Sequence, residues 1–205
     1  MRIKLIYGTD TGNTELIKED LVRLLDGSAA EPDDVTVTEV ADLIDEDWKT
    51  HENYILGIPT WYDGELQSDW EDYFEDFKKI DFTDKFVCII GLGDQDGYPE
   101  YFVDGIGILA KVVIKNGGVV FGHWSTEGYD YEKSKAEIDK NTFYGLAIDE
   151  DSQYHLTDER INKWLTQITK EIDEILKNHP TEDYCHYSDL PSPSAYTENT
   201  NHNKK

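Results

Sequence analysis

Gly8-Thr9-Asp10-Thr11-Gly12-Asn13-Thr14 joins a strand-like run, Arg2-Ile-Lys-Leu-Ile-Tyr7, to a run with helical spacing, Leu16, Ile17, Leu21, Leu24 and Leu25. Strand, short polar turn and helix in that order read as the opening unit of an α/β fold. The same unit is an anion site. The first N–H groups of a helix have no intrahelical partner, and the helix dipole favours negative charge beside them. The hydroxyls of Thr9, Thr11 and Thr14 surround those amides, and no Lys or Arg lies between Lys4 and Lys18. A phosphate bound here is held by neutral donors. That suits a permanently bound phosphomonoester better than a transferred phosphoryl group, whose chemistry calls on Lys and a metal. The turn lacks the lysine of a nucleotide P-loop and the Gly-x-Gly-x-x-Gly of a dinucleotide turn. Thr and Asp are also ordinary helix caps, so the loop alone leaves both readings open.

Outward from this unit, strands and helices alternate, which predicts a parallel sheet covered on both faces. Strand candidates are 2–7, 34–40, 53–58, 85–92 and 118–123, and all but the second are nearly continuous apolar runs, as in strands buried on both sides. The first helix spans about 12–26, and a short helical piece is expected at 41–46. Ser68-Asp-Trp-Glu71 reads as a capping box opening a helix to about 79, with Trp70, Tyr73, Phe74 and Phe77 on one face. The next helix, about 100–115, is expected to bury Phe102, Ile106, Leu109, Ala110, Val113 and Ile114 and to stop at Asn116-Gly117-Gly118. The last opens at Thr157-Asp-Glu and carries the stripe Ile161, Trp164, Leu165, Ile168, Ile172, Ile175 and Leu176. After Val119-Val-Phe121 comes a polar, aromatic stretch to Asn141, then a second strand-like run, Thr142–Ile148. One strand interrupted by about 20 residues and two separate strands explain this equally well from pattern alone.

The 205 residues suit one domain, residues 1–179, followed by a polar tail, 180–205, expected to be disordered despite its scattered tyrosines. Hydrophobic residues make up 38% of the chain, enough for one core. No apolar run reaches the roughly 20 residues that span a bilayer, and nothing at the N-terminus reads as a signal peptide. The two cysteines, Cys88 in an apolar run and Cys185 in the tail, make no disulfide framework, so a reducing, cytoplasmic setting is expected. No Cys/His cluster has metal-ligand spacing. With 19 basic and 44 acidic residues the net charge is -25. Such a surface repels nucleic acid and anionic membranes and attracts a basic protein face; simple solubility explains it too.

Open α/β sheets bind ligands beyond the carboxyl ends of their strands. Besides the threonine turn, two loops leave such ends: Pro59-Thr-Trp-Tyr-Asp-Gly-Glu-Leu66 and Gly91-Leu-Gly-Asp-Gln-Asp-Gly-Tyr-Pro99. Each offers a large aromatic near a glycine, Trp61 and Tyr98. Two such rings flanking a phosphate site suggest a flat ring system held between π-faces.

With these loops in place the sequence resembles flavodoxins, in particular the long-chain group. The resemblance rests on Thr9-Asp-Thr-Gly-Asn-Thr14, Pro59–Trp70, Gly91–Tyr98, Trp124–Tyr131 and Gly145–Gln153, and runs from Arg2 to about Lys177. It implies a doubly wound, five-stranded parallel sheet of order 2-1-3-4-5, the last strand interrupted by a long insertion; that strand order is the general description of the fold. It implies FMN as cofactor. Thr9, Asp10, Thr11, Asn13 and Thr14 would hold its phosphate, with Gly12 also counted among the cofactor-binding residues. Trp61 would cover the inner face of the ring and Tyr98 the outer, and Thr60 and Tyr62 would also bind the cofactor. The Asp63–Gly64 peptide would face flavin N5, Asp94 and Tyr101 would lie around the pyrimidine end, and Gly93 would also bind the cofactor. Asp63, Asp96 and Tyr62 depart from the usual pattern of the group. The implied activity is that of a one-electron carrier, not an enzyme. Its partners would be basic redox proteins such as ferredoxin-NADP reductase and, in a phototroph, photosystem I, with the carrier itself a monomer. An FMN-dependent NAD(P)H:quinone reductase on the same fold is the alternative; Tyr98 over the outer face argues against it. A signalling receiver domain needs acidic residues after strands one and three, where this chain has Gly8-Thr9 and Pro59-Thr60.

Overall fold

The computed structural model describes residues 2–26 and 35–178. The tail beyond 178, with Cys185, and the side chain of Leu176 lie outside the described residues. In chain order the main elements are β1 (Ile3–Tyr7), α1 (Asn13–Asp26), β2 (Val35–Glu39), β3 (Asn53–Trp61), β4 (Glu65–Leu66), α2 (Ser68–Phe77), β5 (Phe86–Leu92), α3 (Asp104–Lys115), β6 (Val119–Val120), β7 (Trp124–Ser125), β8 (Glu137–Asp139), β9 (Thr142–Phe143), β10 (Leu146–Ile148) and α4 (Thr157–Asn178). Two short 3-10 turns, Val40–Asp42 and Asp45–Trp48, stand where a helical piece was expected.

The main sheet runs β2-β1-β3-β5, all parallel, and both β6 and β10 pair parallel to β5. Val119 and Val120 sit opposite Phe86 and Val87, while Leu146–Ile148 sit opposite Ile90–Leu92. They are two halves of one edge position, so the interrupted-strand reading is the right one and the order is that expected. The expected run 142–148 divides: Thr142 and Phe143 join the small antiparallel sheet β7-β9-β8, and only Leu146–Ile148 return to the main sheet. The chain leaves β6 at Gly122, whose φ of 72° lies in the left-handed region that glycine enters without steric cost. Trp164 of α4 donates its indole N–H to the Gly122 carbonyl at 2.7 Å and pins that exit.

Alternating strand residues feed two cores. Ile6, Leu56, Ile58, Val87 and Ile89 face α2 and α3, packing with Trp70, Phe77, Phe102, Ile106 and Leu109. Leu5, Tyr7, Ile55, Cys88 and Ile90 face α1 and α4, packing with Ile17, Leu21, Trp164 and Ile168. Both faces are covered, which is why these strands read as unbroken apolar runs.

Three local expectations need correction. Helix α2 is capped by Gln67, whose side chain accepts the Trp70 N–H at 3.2 Å; the Ser68 hydroxyl points elsewhere and donates to Asp10 at 2.7 Å. Helix α3 begins at Asp104 rather than near 100, because Val103 sits at φ 47°, a left-handed conformation that no helix interior accommodates. Ile114 is 40% exposed: it lies one residue, about 100° of helix, past Val113, and so turns off the face that Ile106, Leu109, Ala110 and Val113 bury. The helix stop at Asn116-Gly117-Gly118 is as expected, with the Gly118 N–H reaching back to the Val113 carbonyl at 2.9 Å.

Candidate functional site

A cleft of about 350 Å³ opens where the loops after β1, β3 and β5 converge. From the first loop Thr11, Asn13 and Thr14 line it. The second loop contributes Thr60, Trp61 and Tyr62, and the third Gly93, Asp94, Tyr98 and Tyr101. Thr11 and Asn13 are exposed at the helix start, and Thr14 is buried. Two buried polar atoms in these walls, Thr14 Oγ1 and Trp61 Nε1, have no hydrogen-bond partner in the protein. Buried polar groups are nearly always paired, so this cleft has the donor set of a site completed by a polar ligand.

The other expected residues shape the loops. Thr9 Oγ1 accepts the Gly12 N–H at 3.0 Å and closes the first turn. Asp10 turns to the start of α2, where its carboxylate accepts from the Gln67 amide at 3.0 Å and the Ser68 hydroxyl at 2.7 Å. That leaves its negative charge satisfied by neutral donors across the loop. Gly12 has φ 87°. In the second loop Trp61 pairs with Glu65, so Tyr62-Asp63-Gly64 is a three-residue hairpin turn. Tyr62 has φ 42° and Gly64 φ 82°. Gly64 is also sterically fixed: a Cβ there would lie 2.5 Å from Asp104 Oδ2 and 3.0 Å from Tyr101 Cδ1. Asp63 itself is exposed.

The third loop is folded on its own aspartate. Asp94 Oδ1 accepts the N–H groups of Asp96 and Gly97 at 3.0 and 2.7 Å, and the Tyr98 N–H donates to the Asp94 carbonyl. Tyr98 is thereby presented at the cleft mouth, 45% exposed. Gln95 anchors the loop from below. Its amide N–H₂ donates to Asp149 Oδ2 at 2.7 Å, its side-chain oxygen accepts the Asp130 N–H at 2.7 Å, and its backbone N–H also reaches Asp149. Burial opposes ionisation of Asp149, but hydrogen bonds from Ser152 and Gln95 outweigh it and hold the carboxyl below the usual carboxylate range. Tyr129, from the insertion, lies under the Arg160 guanidinium at 4.1 Å and donates to the Ala147 carbonyl at 2.6 Å. Burial pushes its hydroxyl up to about 12.

Glu150 and Asp151 also line the cleft, as do Pro59, Leu92 and Phe102, and sequence reasoning did not assign them. Their signal was the Gly145–Gln153 stretch. It contains β10 and the loop beyond its carboxyl end, and it counts as a strand end of the main sheet only once β10 is known to complete the fifth strand. Asp151 is pushed up by burial and by the neighbouring carboxylates of Asp94 and Asp149, so negative charge is concentrated at this rim. Among the described residues no cluster of His, Cys, Asp and Glu could hold a metal, and no helix is long and apolar enough to cross a membrane.

Residues 5–164 match the family model described as flavodoxin. The chain is 46% identical over 170 residues to a flavodoxin of Haemophilus influenzae, covering 83% of this chain and 95% of that one. It is 44% identical over 174 residues to flavodoxin 1 of Escherichia coli K12, covering 84% and 96%. The solved structure of the Fusobacterium nucleatum flavodoxin bound to flavin mononucleotide superposes with a TM-score of 0.76 at 37% identity, covering 83% of this chain and 98% of that one.

Proposed function

Since the chain belongs to the flavodoxin family, we propose that it is an electron-transport flavoprotein that holds one FMN non-covalently and passes single electrons between redox proteins. The observation that carries this is the single cleft in which a lysine-free helix start, two aromatic side chains and two unpaired buried polar atoms meet. The N–H groups and hydroxyls at Thr11, Asn13 and Thr14 would take the phosphate, with the Thr9–Gly12 bond and the Asp10–Gln67 contact fixing their turn. Trp61 and Tyr98 would lie on opposite faces of the ring, and the Asp63–Gly64 peptide against its N5 edge. The bound flavin supplies the electron-accepting ring. The protein binds it, screens it from water and surrounds it with carboxylates that raise the cost of negative charge there. Asp94, Glu150 and Asp151 belong to that surround.

A net charge of -25 favours encounter with a basic partner face, such as that of a ferredoxin-NADP reductase, and makes the encounter weaken with salt. The test of the reading is the ligand preference of a Thr11→Val/Thr14→Val variant. It should lose at least tenfold in affinity for FMN while its affinity for riboflavin, which has no phosphate, stays within about twofold. Equal losses for both would remove the phosphate assignment. Rapid NADPH oxidation by the purified holoprotein alone would replace electron carriage with the reductase reading.

A further inference from the structure

Lys135 belongs to the insertion, yet it reaches the hairpin turn of the cleft. Its Nζ lies 2.7 Å from Asp104 Oδ2, and its backbone N–H donates to Asp104 Oδ1 at 2.6 Å. Asp104 is the first residue of α3, and its side chain is 2% exposed while that of Lys135 is 50% exposed. Both charged groups press on Gly64: a Cβ there would lie 2.5 Å from Asp104 Oδ2 and 3.1 Å from Lys135 Nζ. The insertion is seated on this spot by further bonds, with the Ser134 hydroxyl donating to the Phe102 carbonyl at 2.5 Å and Lys111 Nζ to the Lys135 carbonyl at 3.0 Å. A buried carboxylate at a helix start needs no lysine for local stability, because the helix dipole already favours it. A charge pair directly beneath a cofactor-facing turn has a second consequence: it sets the net charge there to zero.

We infer that Lys135 and Asp104 are positioning residues for the redox step, a neutralised pair through which the insertion fixes both the Gly64 turn and the electrostatic potential at the flavin edge. This rests on the reading that the Asp63–Gly64 peptide faces flavin N5. The second electron leaves the ring negatively charged, so the potential of that step reads the local charge. The first step brings a proton with its electron and serves as an internal control. Removing one member of the pair leaves the other uncompensated, and the two removals act with opposite sign.

The test is spectroelectrochemical titration of FMN-loaded wild type, Asp104→Asn, Lys135→Met, Lys135→Arg and the Asp104→Asn/Lys135→Met double variant. Asp104→Asn should favour the fully reduced state at least threefold, ~28 mV upward in the second potential at 59 mV per tenfold. Lys135→Met should disfavour it to a similar extent. Lys135→Arg and the double variant should stay close to wild type. In the apoprotein, hydrogen exchange at residues 62–66 should speed in Lys135→Met and recover in Lys135→Arg. Second potentials that move in the same direction in both single variants, or not at all, while FMN still binds would overturn the inference and leave the FMN reading standing. A wild-type chain that takes up no FMN would overturn both.

Discussion

Replacing Asp149 with Asn tests whether the Tyr98 loop hangs on one buried carboxylate. Asp149 is fully buried. Its Oδ1 accepts the N–H groups of Asp151 and Ser152 at 3.1 and 2.8 Å, and its Oδ2 accepts the Gln95 N–H at 3.2 Å, the Gln95 side-chain amide at 2.7 Å and the Ser152 hydroxyl at 2.6 Å. An asparagine keeps one acceptor oxygen and turns an N–H₂ on the donors of the other. If the oxygen faces Gln95, two backbone N–H groups are left facing a donor. If it faces the Asp151 and Ser152 N–H groups, both Gln95 donors are opposed, and the Gln95 side chain cannot flip because its oxygen already holds the Asp130 N–H. Each buried donor left unsatisfied costs about 1–3 kcal/mol, so the variant should lose about 3 kcal/mol. Urea unfolding of the apoprotein at pH 7 reads this directly. The sign of the pH dependence follows from the direction of the shift. A carboxyl held below its unfolded value contributes stability above about pH 4 and loses it as pH falls through the lower folded value. The gap between wild type and variant should therefore narrow below about pH 4. A loss under ~1 kcal/mol at pH 7, or a gap that stays constant down to pH 3, would refute the reasoning.

Gly64→Ala should cost the apoprotein about 2–3 kcal/mol in the same unfolding assay, from the left-handed φ of 82° and the crowded Cβ position; a loss under ~0.5 kcal/mol would mean the turn adjusts freely. Asp63→Asn should raise the second potential of the FMN-loaded protein only slightly. Asp63 is exposed; if its carboxylate stands roughly 8 Å from the ring, its repulsion in a water-like dielectric is about 0.5 kcal/mol, ~22 mV at low salt. Titration in high salt should abolish that difference, whereas a shift that survives would mean the carboxylate is shielded from solvent.

The sheet was legible because its strands are buried on both faces, and continuous apolar runs such as Phe86–Leu92 leave little choice. The three loops of the cleft were legible because glycines, hydroxyls and large aromatics cluster where strands end. What escaped was set by contacts distant in sequence. Ser68 has the chemistry of a cap, but Asp10, 58 positions earlier, captures its hydroxyl and leaves the cap to Gln67. Phe143 and Leu146 read as one strand, although they belong to different sheets. Glu150 and Asp151 were given no role in the sequence reading, because only the second half of the fifth strand brings them to the rim. No local pattern joins Asp104 to Lys135 or Gly64.

The bond between Asp10 and Gln67 has a consequence for how the molecule is made. The turn 8–14 forms its own strand and helix from neighbouring residues, but the group that fixes Asp10 arrives 57 positions later. A ribosome adds at most about 20 residues per second, so the emerging chain carries this turn for several seconds before its clamp exists. The loop closure that joins them must precede any gain from the contact. The clamp on Asp10 thus cannot form until Gln67, at the start of α2, is in place. Fragments that end before Gln67 retain the threonine-rich signature and lack the fixed geometry it needs.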